Sequence, residues 1–298
     1  MSRLTTILTI GFLLVFVQVY AQEERIPKER IPVERVFNNK QLINAQTTEM
    51  PTGFEFIIQH RFGQISWDKS IVKDFVGSDL VANIRIALAY AINEKWYVGI
   101  GRTKTGKTYD LEGKYRIFQQ TTDNRFPFSM VVYLNGAINT DKDRVLPENV
   151  WFGDSITPFE NKFIHRIDYT SELIFSRQFT DKFAMQCAVT MIYKNLVVGT
   201  EHKHATWALP VSAAYRLTRG TTLLFEYTRK LNNRIDYRDH PFSLGFEFGT
   251  ASHVFQLFVA TTSFLREANL YTRPSYDFLD SEFIFGFNIR RTWWFKRK

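Results

Sequence analysis

Tyr109-Asp110-Leu111-Glu112-Gly113-Lys114-Tyr115-Arg116-Ile117 alternates apolar or small residues with charged ones at every step. Successive side chains of a β-strand point to opposite faces, so a period of two describes a strand with one apolar and one polar face. A soluble sheet shows such a strand now and then. This chain repeats the pattern from about residue 54 to its C-terminus. Many amphipathic strands in series predict an all-β fold, an antiparallel transmembrane β-barrel with lipid outside and polar groups inside.

Working outward from that stretch, twelve strands are expected, at about 54–62, 80–91, 95–104, 107–119, 128–139, 163–178, 182–195, 205–217, 221–230, 241–249, 252–263 and 281–294. In the second, Ile84, Ile86, Leu88 and Tyr90 share one face and Asn83 and Arg85 the other. Phe128, Met130, Val132 and Leu134 line up in the fifth, and Phe183, Met185, Cys187, Val189, Met191 and Tyr193 in the seventh. Trp207, Leu209, Val211, Ala213 and Tyr215 do so in the eighth, and Phe242, Leu244, Phe246 and Phe248 in the tenth. The connections alternate short and long, as in barrels with short periplasmic turns and longer outer loops. Links 93–94, 120–127, 179–181, 218–220 and 250–251 form the first set; 63–79, 105–106, 140–162, 196–204, 231–240 and 264–280 form the second. The exceptions are the tight Thr105-Gly106 turn and the longer 120–127 link. The last strand carries Phe283, Phe285, Phe287 and Ile289 on one face, with Trp293 and Phe295 beyond. An aromatic-rich closing strand suits insertion by the barrel assembly machinery, although Lys296-Arg297-Lys298 extend past it.

Residues 1–21 read as a signal peptide: Arg3, an apolar centre over residues 7–17, and a Val19-Tyr20-Ala21 cleavage pattern. The apolar run is short for a helix that spans about 30 Å of hydrocarbon. Cleavage leaves 277 residues (298 minus 21), enough for one large domain. Residues 22–50 form an N-terminal tail and 51–298 the barrel. The tail opens with a five-residue repeat, Glu24-Arg25-Ile26-Pro27, Glu29-Arg30-Ile31-Pro32, Glu34-Arg35-Val36-Phe37. Its prolines break helices and remove ladder donors, which predicts a solvated, extended periplasmic segment. The alternative is a tail that folds into the barrel mouth or docks a periplasmic partner through residues 22–40.

Aromatic residues make up 16% of the chain, with 28 phenylalanines, more than a polar-surfaced domain needs and suited to aromatic girdles in lipid. Mean hydropathy is only −0.21, because every second strand residue is polar. The single cysteine, Cys187, excludes an internal disulfide framework and falls on an apolar strand face. A formal charge of +8 raises nucleic acid as a partner, but many of the charges alternate in sign along strands and form no basic patch on a binding module.

The chain resembles a family of outer-membrane β-barrels, a domain family of unknown function, through His60-Arg61-Phe62-Gly63, Val98-Gly99-Ile100-Gly101-Arg102 and Lys107-Thr108-Tyr109-Asp110-Leu111 leading to Lys114-Tyr115. The resemblance covers most of residues 40–298. It implies a barrel in the outer membrane of a Gram-negative cell and brings no substrate, cofactor or catalytic residue.

Three motifs suggest chemistry. Residues 101–108, Gly-Arg-Thr-Lys-Thr-Gly-Lys-Thr, satisfy the phosphate-loop pattern. That loop works only if a helix comes next, and residues 109–117 alternate with period two instead. The reading is therefore a hairpin turn in which Gly106 takes positive φ, with no nucleotide bound. His202 and His204 could supply two imidazole metal ligands, yet no third is identifiable and no metal or cofactor is assigned. Ser252-His253 raises a barrel hydrolase without a nameable third group. No catalytic residue is assigned, and an enzyme is not expected.

The polar strand faces carry Arg85, Asp110, Glu112, Lys114, Arg116, Arg166, Asp168, Glu172, Arg216, Glu226, Lys230, Glu247 and Arg290. Both signs are interleaved, as in an ion-paired, water-containing lumen or a selective pore. The expected function is a narrow polar channel or small-solute binding protein. The alternatives are a structural or partner-docking barrel and a barrel hydrolase. The partners expected are membrane lipid and the assembly machinery, with no nucleic acid.

Overall fold

The computed structural model describes residues 31–66, 71–142, 151, 157–197, 203–232, 240–250, 252–273 and 275–293. The expected signal peptide, most of the proline repeat, His202 and the Trp294-to-Lys298 end lie outside them.

Among the described residues thirteen strands form one sheet: β1 Phe54–Arg61, β2 Ile65–Ser66, β3 Asn83–Ala91, β4 Trp96–Thr103, β5 Thr108–Phe118, β6 Ser129–Ile138, β7 Ile167–Gln178, β8 Phe183–Lys194, β9 Ala205–Arg216, β10 Thr221–Lys230, β11 Phe242–Gly249, β12 His253–Ala260 and β13 Glu282–Trp293. From β3 to β13 each strand pairs antiparallel with the next. β1 then joins the ends: Phe54 lies opposite both Tyr90 and Trp293, and Arg61 opposite both Asn83 and Gly286. Every long strand thus has two neighbours, and the twelve-stranded wall has no open edge. The two-residue β2 pairs with the start of β13 outside this ring.

The alternation decides which way each face points, and it is inverted relative to a soluble protein. In β3 the apolar Ile86, Leu88 and Tyr90 are 49%, 39% and 48% exposed, whereas the inward Arg85 is 3% exposed. The same holds for Val98 and Ile100 in β4, Leu134 in β6, and Leu244, Phe246 and Phe248 in β11, all on the outer surface. A continuous apolar belt of this kind is stable against hydrocarbon and not against water. No helix among the described residues is long and apolar enough to cross a membrane; the strands form the wall instead. Cys187 sits half-buried among these outward residues of β8.

Some expected strand boundaries shift. The stretch at 163–166 is a 3-10 turn before β7, and the 252–263 strand stops at Ala260 because the chain there bends across the barrel mouth. The phosphate-loop motif is a turn: residues 105–107 form one 3-10 turn with Gly106 at φ +66°, and strand β5 begins at once. Lys107 Nζ donates to the Asp141 carboxylate at 3.0 Å. That hydrogen bond holds the exposed Asp141 below its ordinary carboxylate range.

Candidate functional site

Of the two readings of the N-terminal segment, the structure favours the one in which it folds into the barrel rather than a solvated tail. Residues 36–48 run inside the barrel, nearly all of them buried, and Ile31, Pro32, Glu34 and Arg35 before them are exposed. Val33 N donates to Gln120 O at the short-turn end. The chain then enters the lumen and turns back on itself, with Leu42 N donating to Ala45 O, Thr47 N to Lys40 O, and Gln41 bridging Gln46. It returns to the short-turn end to start β1. The proline repeat is solvated in character, but it ends at residue 37. Residues 38–48 hold a single charge, Lys40, and carry Leu42, Ile43 and Ala45 at their turn. Those apolar residues find a matching surface: Phe37, Leu42 and Ile43 join one cluster with the inward Ala184, Ala214, Leu224, Phe258, Ala260 and Ile284. Small inward alanines make room for the hairpin, a signal hidden inside strands that otherwise read as polar-faced.

The expected lumen charges fall into groups. Arg85, Asp110 and Glu112 form one network, with Arg85 Nη2 at 2.5 Å from Asp110 Oδ1 and 3.2 Å from Glu112 Oε2. Glu112 also accepts from Tyr97 Oη at 2.8 Å, Tyr133 Oη at 3.1 Å and the hairpin's Lys40 Nζ at 2.8 Å. Gly99 and Gly101, from the motif on β4, explain how this network fits. A Cβ at Gly101 would lie 2.5 Å from both Arg85 Nη2 and Asp110 Oδ2. Their absence of a side chain lets the charged groups lie flat on the wall.

Lys114, Glu226 and Arg290 address the hairpin directly. Lys114 Nζ donates to the carbonyls of Lys40 at 2.6 Å and Thr47 at 2.8 Å. Glu226 accepts from the main-chain N–H of Asn44 at 3.0 Å and of Ala45 at 2.9 Å. Arg290 donates to the carbonyls of Gln41 and Leu42. Glu247 accepts from the side chains of Asn38 at 2.8 Å and Asn39 at 2.6 Å. Arg116 lies 3.9 Å from Glu49, whose carboxylate in turn accepts from Val36 N at 2.9 Å. Arg61 enters the sequence reading only through the family motif. It is fully buried and donates to Ile43 O at 3.2 Å and Asn44 Oδ1 at 2.9 Å.

The remaining expected residues belong elsewhere. Glu172 is buried inside, on β7. Asp168 pairs with Arg266 and Lys230 Nζ donates to Arg273 O at 2.6 Å, so both hold the segment that caps the long-loop mouth. That cap carries a single helical turn, Glu267–Leu270, with Ala268, Leu270 and Tyr271 packed on Ile192 and Ala208. Expected as an outer loop, it tucks inward because these side chains are apolar. Arg166 and Arg216 do not line the lumen. Arg166 is half-exposed at the long-loop rim, donating to Asn139 and Asp141 carbonyls, and Arg216 is exposed at the short-turn rim. Arg216 is the last residue of β9 and Arg166 sits in the 3-10 turn just before β7, at the rims where parity no longer separates inside from outside.

Hairpin and cap meet where Gln46 Nε2 donates to Glu267 Oε1 at 3.0 Å. Two small spaces lie beside the hairpin, one at the short-turn rim against Phe37, Asn38, Lys182 and Arg216 and one at its turn between Ala45, Glu226 and Tyr271. Among the described residues no group of three or more metal-ligating side chains converges. His204 Nδ1 lies 2.7 Å from Lys194 O. Ser252 Oγ lies 3.0 Å from His253 Nδ1, but among the described residues no carboxylate is hydrogen-bonded to that imidazole.

A family model described as "Membrane bound beta barrel domain (DUF5777)" matches residues 37–293, so it includes most of the hairpin as well as the wall. Among curated protein sequences, no match was found. Solved structures with a similar fold include the NanC porin (8% identity, TM-score 0.50, covering 81% of this chain and 100% of that one). A KdgM porin matches at 8% identity and TM-score 0.48, covering 80% and 99%. An outer membrane channel from Pseudomonas putida F1 matches at 11% identity and TM-score 0.43, covering 82% and 97%.

Proposed function

Because the chain belongs to this family of membrane-bound β-barrel domains, we propose that it is an outer-membrane channel for small polar solutes, held closed by its own N-terminal hairpin. One observation carries the reading: the wall is lined with buried charge that the barrel does not need for closure. An apolar filling would stabilise a permanently solid barrel at less cost, because each buried ion must be fully compensated. A wall of Arg61, Arg85, Glu112, Lys114, Glu226 and Arg290 is instead suited to water and solute, and in the closed form the hairpin's backbone groups take up the hydrogen bonds of Arg61, Lys114, Glu226 and Arg290. Residues 38–48 carry one charge, Lys40, so the hairpin is mostly polar, and its apolar contact with the wall comes through Phe37, Leu42 and Ile43. No catalysis, metal or nucleotide is part of this reading.

The hairpin's side chain Thr48 Oγ1 is hydrogen-bonded to Ser176 Oγ on β7. The variant Thr48→Cys/Ser176→Cys, made with Cys187→Ser, therefore places a lock between hairpin and wall. In planar bilayers the reduced protein should show discrete openings, the oxidised protein none, and a thiol reductant should restore them. Openings that persist with the disulfide formed would sink the proposal. So would a correctly inserted wild type that never conducts at any voltage.

A further inference from the structure

Eight consecutive residues of the hairpin each present a main-chain group to a side chain of the barrel wall. Lys114 takes the carbonyls of Lys40 and Thr47. Arg290 takes those of Gln41 and Leu42. Arg61 and Asn288 both donate to Ile43 O, at 3.2 and 2.9 Å. Glu226 takes the N–H groups of Asn44 and Ala45, and Gln186 Nε2 donates to Gln46 O at 2.8 Å. The side chains contribute as well: Lys40 with Glu112 and Tyr97, Gln41 with Arg290, Asn44 with Glu226, Ser243 and Arg61, and Gln46 with Glu267.

The pairing has a chemical logic. Among the described residues no carboxylate lies within 4 Å of Arg61, Lys114 or Arg290, so neutral carbonyl oxygens complete the coordination of three buried cations. The one carboxylate at the turn meets backbone N–H groups in the same way. Cations placed for C=O and an anion placed for N–H read a peptide bond from both sides. Every peptide carries those groups at a fixed spacing whatever its sequence, which is the spacing the hairpin's main chain presents to this wall.

We propose that this wall is a binding site for short peptides, and that the hairpin is its intramolecular stand-in. This rests on the reading of the hairpin as a gate. A peptide of about four to eight residues would occupy the same main-chain positions when the hairpin withdraws, with apolar side chains beside Leu224 and Phe258. Because it binds only the hairpin-out state, it shifts the population by a factor of one plus its concentration over its Kd.

The test uses the full chain carrying Ala45→Cys and Cys187→Ser, folded in detergent. Ala45 is buried at the turn, so a water-soluble maleimide reports withdrawal of the hairpin. Thr47→Cys serves as a second reporter if the first folds poorly. The probes are acetyl-Leu-Ile-Asn-Ala-amide, acetyl-tetraalanine-amide and maltose. Labelling should rise with the concentration of both peptides, by about elevenfold at ten times Kd while the hairpin-out state is the minor one, and not with maltose. The rise should shrink when Arg290→Gln is added. A response to the native tetrapeptide alone would overturn the inference, since the wall would then be a dedicated socket. An equal response to maltose would overturn it as well. Steady labelling that no peptide changes would overturn the peptide site and leave the gate standing. No labelling under any condition would overturn the gate, and this inference with it.

Discussion

Replacing Glu226 with glutamine should release the hairpin without unfolding the barrel. Glu226 accepts from Asn44 N, Ala45 N and Asn44 Nδ2, at 3.0, 2.9 and 3.1 Å. The residue is 5% exposed, so water does not compensate for a lost partner. Glutamine keeps the shape but offers one acceptor oxygen, and its amide turns a donor toward another donor. One backbone N–H left unpaired costs about 1–3 kcal/mol, and a charged hydrogen bond made neutral costs about 1 more. The total of about 2–4 kcal/mol corresponds to about 30- to 700-fold in the seated-to-released ratio, at about 1.4 kcal/mol per tenfold. The barrel itself should respond differently. Removing a buried charge lifts a desolvation cost, so global melting should hold steady or rise. Maleimide labelling at Ala45→Cys and single-channel open time should therefore increase while the melting temperature does not fall. A folded variant whose labelling rate and open time match the parent would refute the assignment of Glu226 as the turn's anchor. A variant whose melting temperature drops in step with hairpin release would show that hairpin and wall are one cooperative unit.

The other predictions concern the wall. Leu244→Arg places a charge on the lipid face of β11 and should cost about 2–4 kcal/mol near mid-bilayer, whereas Ser212→Ala on the inward face of β9 should be nearly silent in denaturant titrations from lipid vesicles; equal effects would invalidate the parity. Glu112→Gln leaves the buried Lys40 without its carboxylate, while Arg85 keeps Asp110, and should cost about 3–5 kcal/mol, seen as a lower temperature for loss of the folded band on unboiled gels, with partial rescue by adding Lys40→Met. No rescue would mean that Lys40 and Glu112 are not partners. Gly101→Ala should cost about 1–3 kcal/mol by forcing Arg85 and Asp110 off the wall, and a neutral outcome would show that the network repacks freely.

Much of this protein is legible in its sequence because the relevant signals are local. Period two sets which side chains share a face, and that parity alone places Arg85, Asp110, Glu112, Lys114, Glu226, Glu247 and Arg290 inside. The turn chemistry at Gly106 is equally local: a helix cannot succeed it, so a phosphate loop cannot form. Parity fails for Arg166 and Arg216 because one sits in the turn before β7 and the other ends β9, at the barrel rims where inside and outside lose meaning.

The filling of the lumen is a different kind of fact. Residues 36–49 are too short and too weakly patterned to declare a structure of their own, and no local rule says what they touch. Their place depends on wall positions far away in the chain: Glu226 is 182 residues from Asn44, and Arg290 is 248 from Leu42. The inward alanines and glycines that make room, and the charges that wait for a backbone to meet them, become a socket only when the sheet closes. Periodicity therefore determined the wall, the direction of its faces and its charge. Only the tertiary structure decided that the space within is occupied, because complementarity between a segment and a closed surface exists in three dimensions and leaves no period in the chain.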